Sequence, residues 1–284
     1  MPNSTDEKSE YSPSLIKREN WFKLVEEYSR RNLTHEKDKV PAILGLAQAM
    51  TAEYDTYCAG LFTSQIPSSL LWRTTIEFLD EGTVLRRPFQ YSAPSCSWAA
   101  VEGPVSFDSQ RLFNIGEGLN YEHSPDDFGD FTLLQVFTNT PEAESLTPDR
   151  KSFIQLRGRF ISCQAAPSPL FEGDRTDTIF TAMDRKEQRI GLVHPDIPTE
   201  LKPYQGFFCL EIRKEHYASK DIMPYELFGR NIELEDEESS RAMVMGLALV
   251  KDDERIGACK RIGLCRWMIR SCFANAEIVD IKIY

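Results

Sequence analysis

The sequence predicts an α+β fold, with an N-terminal helical segment packed on a C-terminal antiparallel β sandwich or barrel-like module. Three observations carry this. Apolar residues near the N-terminus recur at helical spacing, residues beyond about 92 alternate with period two, and no helical pattern separates the alternating runs. Strands joined by turns alone pair antiparallel, because a parallel neighbour needs a long crossover.

The elements follow in order. Residues 1–14 are polar and acidic, lack the apolar core of a signal peptide, and read as a disordered tail. Trp21, Leu24, Val25 and Tyr28 then fall at i, i+3, i+4 and i+7, with Lys23, Glu26, Glu27 and Arg30 between them. That stripe predicts an amphipathic helix over 16–33. Beyond a polar linker at 32–39, Asp38 is suited to cap a second helix and Pro41 to its first turn, with Ile43, Leu44, Ala47 and Met50 facing inward. Residues 68–78 are apolar enough for a third, short helix.

The β module starts near residue 92. Ile154, Leu156 and Phe160 alternate with Gln155, Arg157 and Arg159, and Phe208, Leu210 and Ile212 alternate with Cys209, Glu211 and Arg213. Period two marks half-buried strands. Similar runs cover 131–137, 178–183, 244–250, 262–267 and 278–283. The helical segment (15–91) is too short to close a core by itself, so it and the β module (92–284) are expected to form one unit. The acidic run at 233–238 reads as a solvated loop.

Composition removes several classes of function. The net charge of -11 repels phosphate backbones, and no basic stripe offsets it, so nucleic acid is not an expected partner. No apolar run approaches bilayer length, so a membrane is not expected either, and the expected location is cytoplasmic. The seven cysteines are odd in number, scattered and without a C-x-x-C pair, which predicts reduced, buried thiols.

Seven short segments, in order, resemble a known family. Trp21, Tyr28-Ser29 and Leu33-Thr34 open the set, followed by Asp38-Lys39-Val40-Pro41-Ala42-Ile43-Leu44-Gly45-Leu46-Ala47. Tyr57-Cys58-Ala59-Gly60-Leu61-Phe62, Leu70-Leu71-Trp72 and Ala93-Pro94-Ser95-Cys96-Ser97-Trp98-Ala99 come next, then Leu156-Arg157-Gly158 and Lys260-Arg261-Ile262-Gly263-Leu264. Together they resemble the region that follows the effector domain in fungal heterokaryon-incompatibility proteins. The resemblance implies a fungal recognition module, expected here without the effector, since about twenty residues precede Trp21. One departure bears on chemistry. Where the family carries the first tryptophan of its "APSWSWA" segment, this chain has Cys96, which removes bulk.

Motifs for catalysis are missing. The sequence has no G-x-S-x-G, P-loop, H-E-x-x-H or G-x-G-x-x-G, and Gly116-Glu117-Gly118 is a loop at best. His35, His123, His194 and His216 lack ligand spacing, so no metal and no other cofactor is expected. What remains is an aromatic-rich chain in which a β module can enclose an apolar pocket. The pocket is expected where helices hand over to strands. Arg87 and His194 are the candidate catalytic residues, as polar contacts to a ligand. Tyr91, Cys96, Trp98, Glu102 and Asp196 are candidates for its lining, although His194-Pro195-Asp196 also reads as a turn carrying a surface histidine. Two functions fit. One is a cofactor-free cyclase or isomerase of fungal secondary metabolism, which folds a small apolar or polyunsaturated substrate into a reactive shape. The other is a non-catalytic interaction module of heterokaryon incompatibility with a protein partner.

Overall fold

The computed structural model describes residues 13–31, 33, 35–51, 55–75, 85–107, 128, 130–137, 152–168, 179–216 and 242–284. Residues 1–12 of the expected tail, the acidic run at 233–238, Gly116–Gly118 and His123 lie outside these.

Two helices open the chain, α1 (Pro13–Ser29) and α2 (Lys39–Met50). The stripe read from the sequence does face the core. Trp21 and Val25 are fully buried, and Leu24 and Tyr28 pack against the same cluster. In α2 only Lys39, Ile43 and Ala47 are buried, while Leu44 is exposed. Asp38 occupies the N-cap position of α2 but makes no side-chain cap hydrogen bond.

The expected third helix is not formed. A single 3-10 turn, Ser68–Leu70, leads instead into a short strand. The reason lies in the carbonyls. Leu70 O and Trp72 O both accept from the Arg261 side chain, and an α-helix would have used them for its own ladder. The segment also holds β1 (Tyr57–Cys58), β2 (Leu61–Phe62) and β3 (Arg73–Thr74), which pairs with β4 (Val105–Ser106). β1 and β2 form a hairpin whose two turn residues, Ala59 and Gly60, have φ of 45° and 98°. Both signs are positive, as a tight primed turn requires.

The remaining strands form one eight-stranded sheet: β5 (Thr132–Phe137), β6 (Phe153–Pro167), β7 (Phe180–Met183), β8 (Arg189–Pro195), β9 (Gly206–His216), β10 (Ala242–Lys251), β11 (Ala258–Ile269) and β12 (Glu277–Ile283). β6 is long enough to serve two sets of neighbours. Its first half lies between β5 and β12, and its second half between β9 and β7. From β6 the pairing runs through β9, β10, β11, β8 and β7 and returns to β6, antiparallel throughout. One contact departs from the antiparallel expectation, a short parallel register between β11 and β12 at Ala258↔Lys282 and Cys259↔Ile283.

Alternation along these strands separates two cores. On β9, Leu210 and Ile212 join the cluster that contains Trp21, Trp72 and Trp98. Phe207 and Cys209 point the other way, into a second cluster with Phe180, Val244, Cys265 and Phe273. Both faces of β9 are therefore apolar, and the helical segment is the cover of one face. β8 escaped the sequence reading for the same reason. Ile190 to Pro195 are all buried, so the run shows no alternation. His194 and Pro195 belong to this strand, paired with Leu264 and Gly263, which corrects the expectation of a turn with a surface histidine.

Glycine supplies the close approaches of the second core. A Cβ on Gly246 would lie 2.4 Å from Leu210 O and 2.7 Å from Cys209 Sγ. Gly246→Ala is therefore predicted to destabilise the protein by about 1–3 kcal/mol. Gly45, within α2, has open space where a Cβ would go, and Gly45→Ala should be neutral or stabilise by up to about 1 kcal/mol. Urea unfolding midpoints of the two variants check this, and equal midpoints would contradict it.

Candidate functional site

Segments far apart in the chain converge in space, and they do so by hydrogen bonds to backbone. Trp21 Nε1 and Trp98 Nε1 both donate to Gly60 O, at 3.3 and 2.9 Å. A Cβ on Gly60 would lie 2.5 Å from Trp98 Nε1, so glycine is fixed there by the tryptophan as well as by φ. Trp72 Nε1 donates to Cys96 O at 2.8 Å, Tyr28 Oη to Lys39 O at 2.8 Å, and Lys39 Nζ to Val101 O. Each of these three indoles thus finds an acceptor in another segment.

Arg261 closes this lattice. Its side chain is fully buried on β11. Nε and Nη2 hold the two oxygens of Asp196 at 3.0 and 2.9 Å, Nη1 reaches Leu70 O at 2.6 Å, and Nη2 also reaches Trp72 O at 2.5 Å. The guanidinium lies 3.6 Å from the centre of the Trp72 ring. Burial pulls the Arg261 pKa below its ordinary value, against the opposing pull of Asp196. Arg87 backs the pair from the solvent side. Its Nη2 is 3.2 Å from Asp196 and 2.7 Å from Glu200, Nε is 2.9 Å from Glu200, and Nη1 donates to Ala100 O at 3.2 Å. Lys260 Nζ completes the row at 2.9 Å from Glu200. Burial opposes the charges here too, but Glu200 and Asp196 hold the Arg87 pKa above its ordinary value, and Arg87 and Lys260 hold that of Glu200 below it.

This row forms the floor of an open cleft of about 570 Å³. The loop around Tyr91 makes one side, the β10–β11 turn at 251–255 makes the other, and Tyr284 lies between them. Arg255 is braced over the Tyr284 ring at 4.6 Å and paired with Asp252 at 2.9 Å.

The sequence candidates separate into two groups. Arg87 and Tyr91 line the cleft, and Asp196 lies directly beneath Arg87. Tyr91 is 44% exposed and its hydroxyl donates to Ser152 O at 2.8 Å. Cys96 and Trp98 are fully enclosed by the core, and burial pushes the Cys96 thiol up to about 12. Glu102 is part of a different group, 3.9 Å from Lys39, and burial raises its carboxyl. Burial brings Lys39 down to about 8, with Glu102 acting against that. His194 is buried, and among the described residues its Nε2 has no hydrogen-bond partner.

Three residues that shape the site were missed: Glu200, Lys260 and Arg261. The last two stand inside the Lys260–Leu264 segment noted for its resemblance, and a paired cation within an apolar strand was the signal available. Among the described residues no group of three His, Cys, Asp or Glu side chains is arranged to hold a metal ion, and no helix is long and apolar enough to cross a membrane. No protein-family model, no curated protein and no solved structure matches the chain.

Two predictions follow from burial. Arg261→Ala removes one partner of an enclosed pair and should cost about 3–5 kcal/mol in chemical denaturation. Arg261→Lys should recover little, since one ammonium cannot span Asp196, Leu70 O and Trp72 O together. Recovery of wild-type stability by lysine would contradict the geometry. The second concerns His194. Burial, and then the charges of Arg266 and Arg73, hold its pKa well below the ordinary 6.5. In the unfolded chain the imidazole takes up a proton near 6.5, whereas in the fold it stays neutral, so the unfolded state binds more protons below that pH. Stability should therefore fall as the pH drops from about 6.5 toward the folded value, and His194→Gln should flatten this part of the profile. An unchanged slope in urea titrations across that range would refute the assignment.

Proposed function

We propose that the chain is a non-catalytic binding module whose recognition surface is the cleft between Tyr91 and the β10–β11 turn. The observation that carries the reading is the use made of the family-like residues. Trp21, Lys39, Gly60, Trp72, Trp98 and Arg261 are all consumed in holding segments to one another. The resemblance to the post-effector region of heterokaryon-incompatibility proteins is then a scaffold signature. We read the returning strand path as a closed six-stranded antiparallel barrel with the helical segment wrapped on its outside. A rigid scaffold of this kind presents loops for binding, and here the two loops bordering the cleft are the ones presented.

A second reading, the cofactor-free cyclase, draws on one observation: the cleft unites Arg87 and Tyr91 in a volume suited to a small molecule. The engagement of Arg87 by Glu200, Asp196 and Ala100 O weighs against it as a donor reserved for a substrate.

One experiment separates the two. The protein is incubated with a panel of polyunsaturated and carbonyl-bearing compounds and short peptides. Binding is followed by saturation-transfer NMR and composition by chromatography. A binding module returns every bound compound chemically unchanged, and Tyr91→Ala weakens binding by roughly tenfold. Protein-dependent conversion of any compound to an isomer, lost in Tyr91→Ala, would reinstate the cyclase.

A further inference from the structure

Beneath one end of the cleft lies a connected set of charged side chains with one more cation than anion. Arg87, Lys260 and Arg261 face Asp196 and Glu200, three cations against two anions, in one connected set. Part of this set is deeply enclosed, where water screens charge poorly. Donor capacity is left over at the cleft surface. Among the described residues Lys260 Nζ bonds only Glu200. The Ser95 hydroxyl accepts from Arg261 N and keeps its own proton available. Both residues line the cleft. The rest of the wall near them is apolar or aromatic, from Tyr91, Val250, Ile262 and Tyr284. On the opposite turn Lys251 and Arg255 stand against Asp252, Asp253 and Glu254, so the lining as a whole carries no net positive charge and disfavours a ligand with a second negative charge.

Resting on the binding-module reading, we propose that the cleft takes a ligand with a single carboxylate joined to an apolar or aromatic body. The carboxylate accepts from Lys260 Nζ and the Ser95 hydroxyl, with Arg87 behind them. The body lies between Tyr91 and Tyr284. A charge-assisted contact of this kind distinguishes an acid from its neutral amide, which would leave the surplus cation uncompensated. Either a free organic acid or the C-terminus of a peptide supplies this chemistry.

The test uses the full chain and two matched pairs in isothermal titration calorimetry. The first is naphthylacetic acid beside its carboxamide. The second is an acetylated tetrapeptide ending in phenylalanine, with a free or an amidated C-terminus. In at least one pair the acid is expected to bind roughly tenfold or more tightly than the amide. Lys260→Gln, at a half-exposed position that leaves the Arg87–Glu200 pair in place, should weaken the acid by about tenfold and leave the amide unchanged. Circular dichroism checks that this variant is folded. Preference for the naphthyl acid alone identifies a small-molecule site, and preference for the peptide acid alone identifies a C-terminus reader. Acid and amide binding equally, no binding by either pair, or indifference to Lys260→Gln overturns the proposal. Equal binding leaves the binding-module reading intact, whereas chemical conversion of a probe removes that reading.

Discussion

A guanidinium with no access to water organises this protein. Arg261 projects from a strand of the sheet into the cover formed by the helical segment, and its donors are divided among Asp196, Leu70 O and Trp72 O. Desolvating such a charge is costly, and the cost is offset only when every donor has a partner and the counter-charge is held in register. That demand reaches outward. Asp196 must follow β8 directly, the 70–72 segment must run non-helical so that its carbonyls are free, and Ser95 must meet the backbone of Arg261. Arg87 and Glu200 then extend the charge network to the surface, where it becomes the cleft floor.

The tryptophans do the same work with neutral groups. Three indoles, each fully buried, satisfy their N–H groups on two backbone carbonyls, Gly60 O for Trp21 and Trp98 and Cys96 O for Trp72. A small hairpin with two left-handed residues is what places Gly60 O between two rings. Cys96 relates to this lattice through its backbone. Its carbonyl anchors Trp72 while its thiol is buried in the core. The short β1–β2 and β3–β4 pairs are thus braces for the cover.

The division of labour between the two faces of the sheet explains the composition of its strands. The face toward the helical segment is lined by large aliphatics such as Leu210, Ile212, Leu247 and Leu264, which meet aromatic rings. The opposite face mixes small side chains, Cys163, Ala165, Ala182, Cys209, Ala248 and Cys265, with larger ones such as Phe180, Phe207, Met268 and Phe273, and has glycines where strands approach most closely. Where the partner surface lies close, as at Gly246, small side chains are what the packing leaves room for. Buried thiols whose pKa values burial raises, as at Cys163 and Cys209, act there as small hydrophobes.

Much of this was written in local patterns. The stripe of Trp21 and Val25 has helical period, and the alternation of Ile154, Leu156, Arg157 and Arg159 has strand period. Both periods follow from backbone geometry alone, so they survive any tertiary context that buries one face. The sequence also determined the scattering of the unpaired thiols. Other features depended on residues far apart in the chain. Residues 68–75 have the composition of a helix, yet Arg261, about 190 positions away, takes their carbonyls. β8 has no alternation because both of its faces are covered, and His194 on it looks in sequence like any histidine before a proline. The pairing of Arg87 with Asp196 and Glu200, and the burial of Trp98 while Tyr91 lines the cleft, were decided only when the 85–100 loop was laid against β8 and β11. Periodicity reports which face of an element is apolar. It carries no information about which distant charge that face will meet, and in this protein the charges on β8, β11 and the covering loop make the site.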